Sequence, residues 1–298
     1  MAERCSASTV QTAVGTWQFK GTYRGTGYET CPLFFEAHNR SADELRGTAH
    51  QVSFLADFTD HDACKYCCDG YRQAAWKPRS CTFNTLSKSL SELKGQANSR
   101  NKTATIVFIG DSLMTQLWNA AVCQAEAQRS HLRAVHMRAD KIDEAMAGNL
   151  EKVVPRDAAL IIANGGSHYG SHHTAAYERS LMTTARLFTK LRSRRAEPSS
   201  LMQFWLQLPP TLHGAQQNAS WGWSVWPRRN ERARELLPRW VVHIGYDSVI
   251  PRLSEDPKVK SDGVHWCGTA ASAIPTHLVQ LILHIATLPV AMQGGAKD

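Results

Sequence analysis

One serine stands in a setting that suits acyl chemistry. Ser112 lies in Gly110-Asp-Ser-Leu113, directly after a short apolar run and before a segment with helical spacing. A serine at such a strand end has its own N–H at the positive end of the following helix. This suits a nucleophile whose attack generates an oxyanion. The alternative is that Asp111 or Ser112 is only a helix N-cap, which is a common role for both residue types.

A second pattern near the C-terminus supplies a base. Asp262 stands three residues before His265. In a tight turn such an aspartate can accept a hydrogen bond from ring Nδ1, which leaves Nε2 free to take the serine proton. Ser112, His265 and Asp262 then form a nucleophile, a base and an orienting carboxylate. The alternative for this pair is a surface turn with an incidental histidine.

Asn164 offers a donor for the oxyanion. It ends the next predicted strand and is followed by Gly165 and Gly166. Because the carboxyl ends of parallel strands share one sheet edge, we expect its amide beside Ser112, where it and the Ser112 N–H would hold an oxyanion. The alternative is an ordinary Asn-Gly turn.

Strand and helix patterns alternate over the part of the chain that carries these residues. Predicted strands cover 105–109, 158–163, 201–208 and 240–244, and predicted helices cover 113–128, 175–194, 230–237 and 270–288. This order predicts an α/β sandwich around a mostly parallel sheet, with chemistry beyond the carboxyl ends of the strands. We expect a Cys-rich, irregular region over residues 1–100 and a catalytic domain over 101–298.

Composition bounds the class of protein. The chain has 298 residues, 43% of them hydrophobic and 20% charged, with a formal net charge of +8. These values predict a folded protein with a full core and favour an anionic partner, without choosing among acidic polysaccharide, nucleic acid and membrane surface. No apolar run is long enough to span a bilayer as a helix. Six of the eight cysteines fall in the first 81 residues, which favours disulfides over zinc.

Three sequons bear on the compartment. Asn39, Asn101 and Asn218 are glycosylation acceptors if the chain enters the secretory lumen. With the cysteines, they favour the secretory pathway, either the Golgi lumen or secretion, with a signal or anchor absent from this chain. A cytosolic location is the alternative.

The chemical patterns resemble a known family. Gly110-Asp-Ser112, the cysteine eleven residues later at Cys123, and Asp262-Gly-Val-His265-Trp-Cys267 resemble the PC-esterase group of the SGNH (GDSL-like) hydrolases. That group includes the plant trichome-birefringence-like polysaccharide O-acetyltransferases. Segments 15–19, 28–32 and 71–81 resemble the group's GxWV, YxxxCPF and YxxWRWKPxxC segments, and the likeness runs from about residue 5 to 270. Thr115 stands where the plant pattern has arginine.

The resemblance implies a fold and an activity. The fold is an SGNH-like three-layer α/β/α sandwich with the Cys-rich N-terminal part packed on it. The activity is transfer of an acetyl group to a glycan hydroxyl through an acyl-serine. It implies no bound cofactor, with acetyl-CoA or an acetylated donor as co-substrate. The partner is a polysaccharide or oligosaccharide acceptor, with no nucleic acid, and the oligomeric state stays open. The alternatives are a carbohydrate acetylesterase with the same triad and a non-catalytic glycan-binding relative.

Further expectations concern residues around the triad. We predict that Trp266, Trp223 and His168 bind substrate, with core packing as the alternative for the tryptophans. His168 has two histidine neighbours at 172 and 173 but no fourth ligand at familiar spacing, so we predict no metal. Cys123 and Cys267 are the two cysteines of the catalytic part and are predicted to pair, with the other six pairing among themselves. The basic run 186–195 is interpreted as a solvated helix face rather than a polyanion site.

Overall fold

The computed structural model has an α/β architecture built on a parallel sheet. It describes residues 4–7, 15–22, 72–78, 81–98, 105–127, 133–197, 200–210, 225–247, 249, 266 and 273–289. The strands are β1 (Gly15–Thr22), β2 (Arg72–Pro78), β3 (Thr105–Gly110), β4 (Arg133–Arg138), β5 (Ala158–Ala163), β6 (Met202–Leu206) and β7 (Val242–Ile244). The helices are α1 (Leu86–Asn98), α2 (Ser112–Ala127), α3 (Glu144–Val153), α4 (Thr174–Ser193), α5 (Trp226–Leu236) and α6 (Ala273–Ala286).

The main sheet has five parallel strands in the order β4-β3-β5-β6-β7. From β3 the chain first moves outward to β4, then crosses back to β5 on the other side of β3. The strand order therefore reverses between β3 and β5. In open α/β sheets, ligands bind beyond the carboxyl ends of the strands at such a reversal point.

Helices cover both faces of the sheet, as expected for a three-layer sandwich. Alternate residues of one strand face opposite ways, so Ile106 and Phe108 of β3 join one core while Val107 and Ile109 join the other. The first core also receives side chains from α1, α2 and α6, and the second receives side chains from α3, α4 and α5. The predicted α/β/α fold class is thus confirmed.

Two elements were missed from the sequence. The pattern named 158–163 as the strand after 105–109, but β4 and α3 lie between them. β4 is at the edge of the sheet and carries Arg133, His136 and Arg138 within its six residues. Polar and charged residues of this kind are tolerated at a sheet edge, and they hid the strand from a search for apolar runs.

N-terminal segments pack on the last helix. A disulfide joins Cys5 to Cys81, with a Cα–Cα distance of 5.0 Å. The fully buried His284 of α6 binds both segments, because its Nδ1 accepts from the Asn84 N–H at 3.2 Å and its Nε2 lies 2.9 Å from the carbonyl oxygen of Cys5. Leu90 of α1 belongs to the core beneath α6. The pairing agrees with the expectation that the six N-terminal cysteines bond among themselves, and the division at residue 100 stays a prediction. In the described part of the chain, no helix is long and apolar enough to cross a membrane.

Candidate functional site

The turn between β3 and α2 requires a glycine at its first position. Gly110 has a φ of +156°, and a Cβ built on it would lie 1.7 Å from Oδ1 of Asn164 and 3.1 Å from Cβ of Met114. No side chain fits there without displacing Asn164. Residue 110 is therefore where the backbone of the serine turn and the side chain of the asparagine come into direct contact.

Asp111 connects the serine turn to the loop after β5. Its side chain is fully buried. Oδ1 accepts hydrogen bonds from the Leu113 N–H at 3.0 Å and from Nδ2 of Asn164 at 2.8 Å, and Oδ2 accepts one from the Ser167 hydroxyl. The Leu113 bond makes Asp111 the N-cap of α2, as the alternative interpretation held. The same carboxylate also holds the neighbouring loop in place.

Asn164 is bonded to Asp111 in both directions. Its Oδ1 accepts from the Asp111 N–H at 3.2 Å, while one N–H of its Nδ2 donates to the Asp111 carboxylate. Its own backbone N–H donates to the carbonyl of Ile109 at 3.0 Å, so the chain continues the parallel pairing of β3 and β5 by one residue. The expectation that Asn164 lies beside the serine turn is met. Its amide has a second N–H that these bonds do not use.

Ser112 is the first residue of α2 and is half-buried. Its backbone N–H belongs to the first turn, where helix N–H groups have no partner within the helix and carry the positive end of the dipole. The cap bond from Asp111 goes to Leu113, the next residue. A hydroxyl and an N–H at this position can act together, one as nucleophile and the other as oxyanion donor.

A buried arginine holds the loop after β5. Arg229 of α5 donates from Nη1 to the carbonyls of Gly166 and Tyr169 at 2.9 and 2.7 Å, and from Nη2 to the carbonyl of Gly170 at 2.7 Å. Its guanidinium also lies over the Tyr177 ring at 5.5 Å. Burial lowers the pKa of Arg229, and these carbonyls replace the water that it has lost. Gly166 has a φ of +115°, and a Cβ there would meet the Tyr177 ring at 2.9 Å.

His168 lies at the outer part of the same edge. Its Nε2 is 3.6 Å from Oδ1 of Asp140, which follows β4 and also accepts from Nε of Arg138 at 2.5 Å. The loops after β3, β4 and β5 therefore all contribute polar side chains to this end of the sheet. The structure places His168 near the serine turn through its neighbour Ser167, and its role in substrate binding stays a prediction.

Trp266 is bound to the serine helix through its backbone. Nε2 of Gln116 donates to the Trp266 carbonyl at 2.9 Å, and Oε1 of Gln116 accepts from the Trp266 N–H at 3.1 Å. The indole is fully buried and lies 5.7 Å from the Tyr246 ring. Trp266 was predicted to bind substrate, with core packing as the alternative. The structure places it in the core instead, which corrects that expectation because a ring with no exposed surface offers no face to a ligand.

Several predicted site residues belong to parts of the chain that the structure does not describe. Outside the described residues lie Asp262, His265, Trp223, Cys267, Asn39, Asn101 and Asn218. The backbone of Cys123 is part of α2, but its side chain is likewise not described. The triad, the Cys123–Cys267 disulfide and the glycosylation sites therefore stay predictions. Within the described residues, no group of three His, Cys, Asp or Glu side chains could hold a metal.

The basic run on α4 is ion-paired with α3. Arg186 pairs with Glu144, and Glu151 binds both Lys190 at 3.3 Å and Arg194 at 2.5 Å. A hydrogen bond from Lys190 and the charges of Lys190 and Arg194 lower the pKa of Glu151. These acids offset much of the positive charge, which fits a solvated helix face better than a polyanion site.

Four positions of this site were missed from the sequence. They are Ser167, Gln116, Arg229 and Asp140, each of which binds through a partner far away in the chain. Gln116 alone offered a local signal, because it stands four residues after Ser112 and thus one helical turn along the same face. Arg229 sits in the pair Arg228-Arg229, and nothing in the local pattern tells which of the two is buried.

Comparisons with known proteins give low similarity. No protein-family model matches the chain, and no curated protein matches it. A GDSL-like lipase from Parabacteroides merdae is 11% identical with a TM-score of 0.43, over 62% of this chain and 95% of that chain. The C-terminal catalytic domain of peptidoglycan O-acetyltransferase A from Streptococcus pneumoniae, with a methylsulfonyl adduct, is 12% identical with a TM-score of 0.38, over 62% and 91%. A gut microbial diltiazem-metabolizing enzyme is 14% identical with a TM-score of 0.37, over 55% and 43%.

Proposed function

We propose that this protein is an SGNH-type O-acetyltransferase that moves an acetyl group to a glycan hydroxyl through an acyl-Ser112 intermediate. The observation that carries the proposal is that the segments after β3 and β5 are hydrogen-bonded to each other at the point where the strand order reverses. Ser112 begins the helix after β3, and Asn164 directly follows β5 and is bonded to Asp111, the residue before the serine. This is the place where open α/β sheets bind ligands.

The proposed chemistry has two transfers. Ser112 Oγ attacks the acetyl carbonyl carbon while its proton passes to Nε2 of His265, whose charge Asp262 stabilises. The oxyanion collapses, the donor's leaving group departs with that proton, and the acetyl group is esterified to Ser112. A sugar hydroxyl then gives its proton to His265, attacks the acyl carbon and releases Ser112, which recovers the proton. The triad residues at 262 and 265 enter as the sequence pattern predicts them.

The oxyanion would be held by groups that are already fixed before the substrate arrives. The Ser112 N–H belongs to the first turn of α2, and the Asn164 amide has a second N–H in addition to the one bound by Asp111. Because the Asp111 carboxylate is buried and accepts three hydrogen bonds, Asn164 does not have to reorganise during reaction. Such preorganised donors supply much of the rate enhancement in acyl transfer.

The wider setting is part of the same proposal. The formal net charge of +8 suits an anionic acceptor such as an acidic polysaccharide or oligosaccharide. The Cys5–Cys81 disulfide supports an oxidising compartment such as the Golgi lumen or the outside of the cell. Acetyl-CoA or an acetylated compound would serve as the donor. Peptide mapping without reducing agent tests the second disulfide, and a free thiol at Cys123 or Cys267 would contradict it.

The acyl-serine itself is the first thing to test. The protein is incubated with an activated aryl acetate and its intact mass is followed over time. We expect one added acetyl group that is absent in Ser112→Ala and that forms much more slowly in His265→Ala. Ser193→Ala is the matched control, because this serine is exposed at the end of α4 and bonds only to the Lys190 carbonyl among the described residues. An unchanged adduct in Ser112→Ala would refute the enzymatic proposal.

The acceptor is tested in a second stage. Xylan, pectin, mannan and sialylated oligosaccharides are added to the acetylated protein, and acetylated sugar and free acetate are both measured. Acetylated sugar supports the transferase. Acetate alone with every acceptor would replace it by a carbohydrate acetylesterase with the same triad. Glycan binding without any acyl-enzyme would favour the non-catalytic relative.

A further inference from the structure

The two polar atoms of the Gln116 side chain bind the main chain of Trp266 on both sides of its Cα. Oε1 accepts from the N–H and Nε2 donates to the carbonyl, across 150 residues of sequence. Gln116 and Trp266 are both buried, with exposed fractions of 3% and 0%. Hydrogen bonds in such a dry setting are costly to break, since each lost partner leaves a buried polar group unpaired.

These bonds constrain more than Trp266 itself. The N–H of Trp266 belongs to a planar peptide unit that also contains the carbonyl and the Cα of residue 265. A hydrogen bond that orients this N–H therefore limits rotation about the covalent link between residue 266 and the histidine that precedes it in the sequence. Packing of the indole against Tyr246 opposes rotation of Trp266 about its own axis.

Gln116 is also fixed relative to the nucleophile. It stands four residues after Ser112 on α2, so the two side chains rise from the same face of the helix, one turn apart. The helix that carries the serine thus carries the group that binds the chain next to the histidine.

We propose that Gln116 is a positioning residue that sets the catalytic histidine in register with Ser112 by binding the backbone of Trp266. This inference rests on the proposed function. In this role Gln116 would link the helix that carries Ser112 to the chain beside the histidine, so that the two reacting groups stay aligned for proton transfer. A misplacement of about 1 Å can cost roughly 100-fold in rate, which is the loss expected on removing the two bonds.

A double-mutant cycle tests this role. Gln116→Met keeps the length of the side chain and removes both hydrogen bonds. With the activated acetate, we expect kcat/KM to fall about 100-fold in the wild-type background, mostly through kcat. In a His265→Ala background the same change should alter the residual rate less than about twofold, because there is no longer an imidazole to align. An equal fold loss in both backgrounds would overturn the proposal.

Gln203 provides a matched control. Its amide is buried and equally satisfied, donating to the Phe188 carbonyl at 2.9 Å and accepting from Nε1 of Trp240 at 3.0 Å, but it binds neither α2 nor Trp266. Gln203→Met should lower thermal stability about as much as Gln116→Met and leave kcat/KM within about twofold of wild type. A comparable loss of activity in both variants would mean that general destabilisation is responsible, and would also overturn the proposal.

Gln116→Glu covers the case in which the methionine variant does not fold. A neutral carboxyl group can still donate to the Trp266 carbonyl and accept from its N–H, whereas an ionised one can only accept. The ratio of kcat/KM for this variant to wild type should therefore fall as the pH rises and the carboxyl group ionises. A ratio that does not change with pH would contradict the role. Failure of the proposed function appears separately, as acylation that survives in Ser112→Ala.

Discussion

The close contact between Gly110 and Asn164 makes Gly110→Ala a sharp test of the site. The added Cβ would lie 1.7 Å from Oδ1 of Asn164, so that oxygen would have to move by about 1.3 Å merely to reach 3.0 Å. The amide bonds to Asp111 are now 3.2 and 2.8 Å long and do not survive such a displacement. Asn164 is fully buried, so water cannot replace the hydrogen bonds that its amide would lose.

The expected losses differ for stability and activity. Two broken hydrogen bonds at about 1 kcal/mol each reduce the free energy of unfolding by about 2 kcal/mol. In a protein of this size that corresponds to a decrease of about 3 °C in Tm. If Asn164 donates to the oxyanion, its displacement should also slow acetylation of Ser112 by about 10²- to 10³-fold. The activity loss is thus much larger than destabilisation alone would produce at 25 °C.

Thermal unfolding and intact-mass kinetics with the activated acetate measure the two effects. Gly148→Ala is the control, since a Cβ at this position of α3 meets nothing within 4 Å. It should keep full activity and stabilise the helix slightly, by about 0.5 to 1 kcal/mol. Wild-type acetylation rates in Gly110→Ala would refute the assigned contact between the serine turn and Asn164.

Three further predictions concern buried polar groups. Arg229→Met should lower the free energy of unfolding by about 3 kcal/mol or more and reduce kcat, because three loop carbonyls lose the hydrogen bond from the guanidinium. Thermal unfolding with activity measurement checks this, and an unchanged kcat would contradict the role of the loop. Tyr246→Phe should be neutral or stabilising by up to about 1 kcal/mol in urea unfolding, since this buried hydroxyl has no hydrogen-bond partner among the described residues. A loss of stability larger than about 1 kcal/mol would show that the hydroxyl is bound. Burial lowers the pKa of His277 from 6.5 to about 3. Between these pH values the unfolded chain binds a proton at this histidine and the folded protein does not. The free energy of unfolding should therefore fall by about 1.4 kcal/mol per pH unit as the pH drops below 6.5 toward 3. Urea unfolding of His277→Leu should show a pH dependence shallower by that amount, and parallel curves for the two proteins would be inconsistent with a neutral His277.

Tyr246 also bears on the electrostatics of the site. Burial and the nearby charge of Asp111 raise the pKa of its phenol well above the usual value. The group therefore stays neutral over the working range of any acyl transfer. A neutral phenol beside a buried carboxylate adds no charge that would compete with a developing oxyanion.

Local sequence determined most of the elements and one part of the site. The apolar run before Gly110 predicts a buried strand, the polar residues after it predict a helix start, and Asn164 follows a second run of the same kind. These signals depend on side-chain size and on hydrogen bonding within a few residues, so they can be recognised in a single sequence. The exception among strands was β4, whose polar edge position makes its sequence look like a loop.

The order of the strands was decided only by the tertiary structure, and with it the site. Nothing in the local pattern states that β5 pairs directly with β3, although β4 and α3 separate the two strands in the sequence. That order follows from how helices pack on the two faces of the sheet. The bonds from Arg229 to the loop after β5 and from Gln116 to Trp266 have the same origin, the latter joining residues 150 positions apart. A glutamine or an arginine has the same short-range preferences whether it is buried or exposed. Its partner is selected by packing over the whole domain, which no short window of sequence contains.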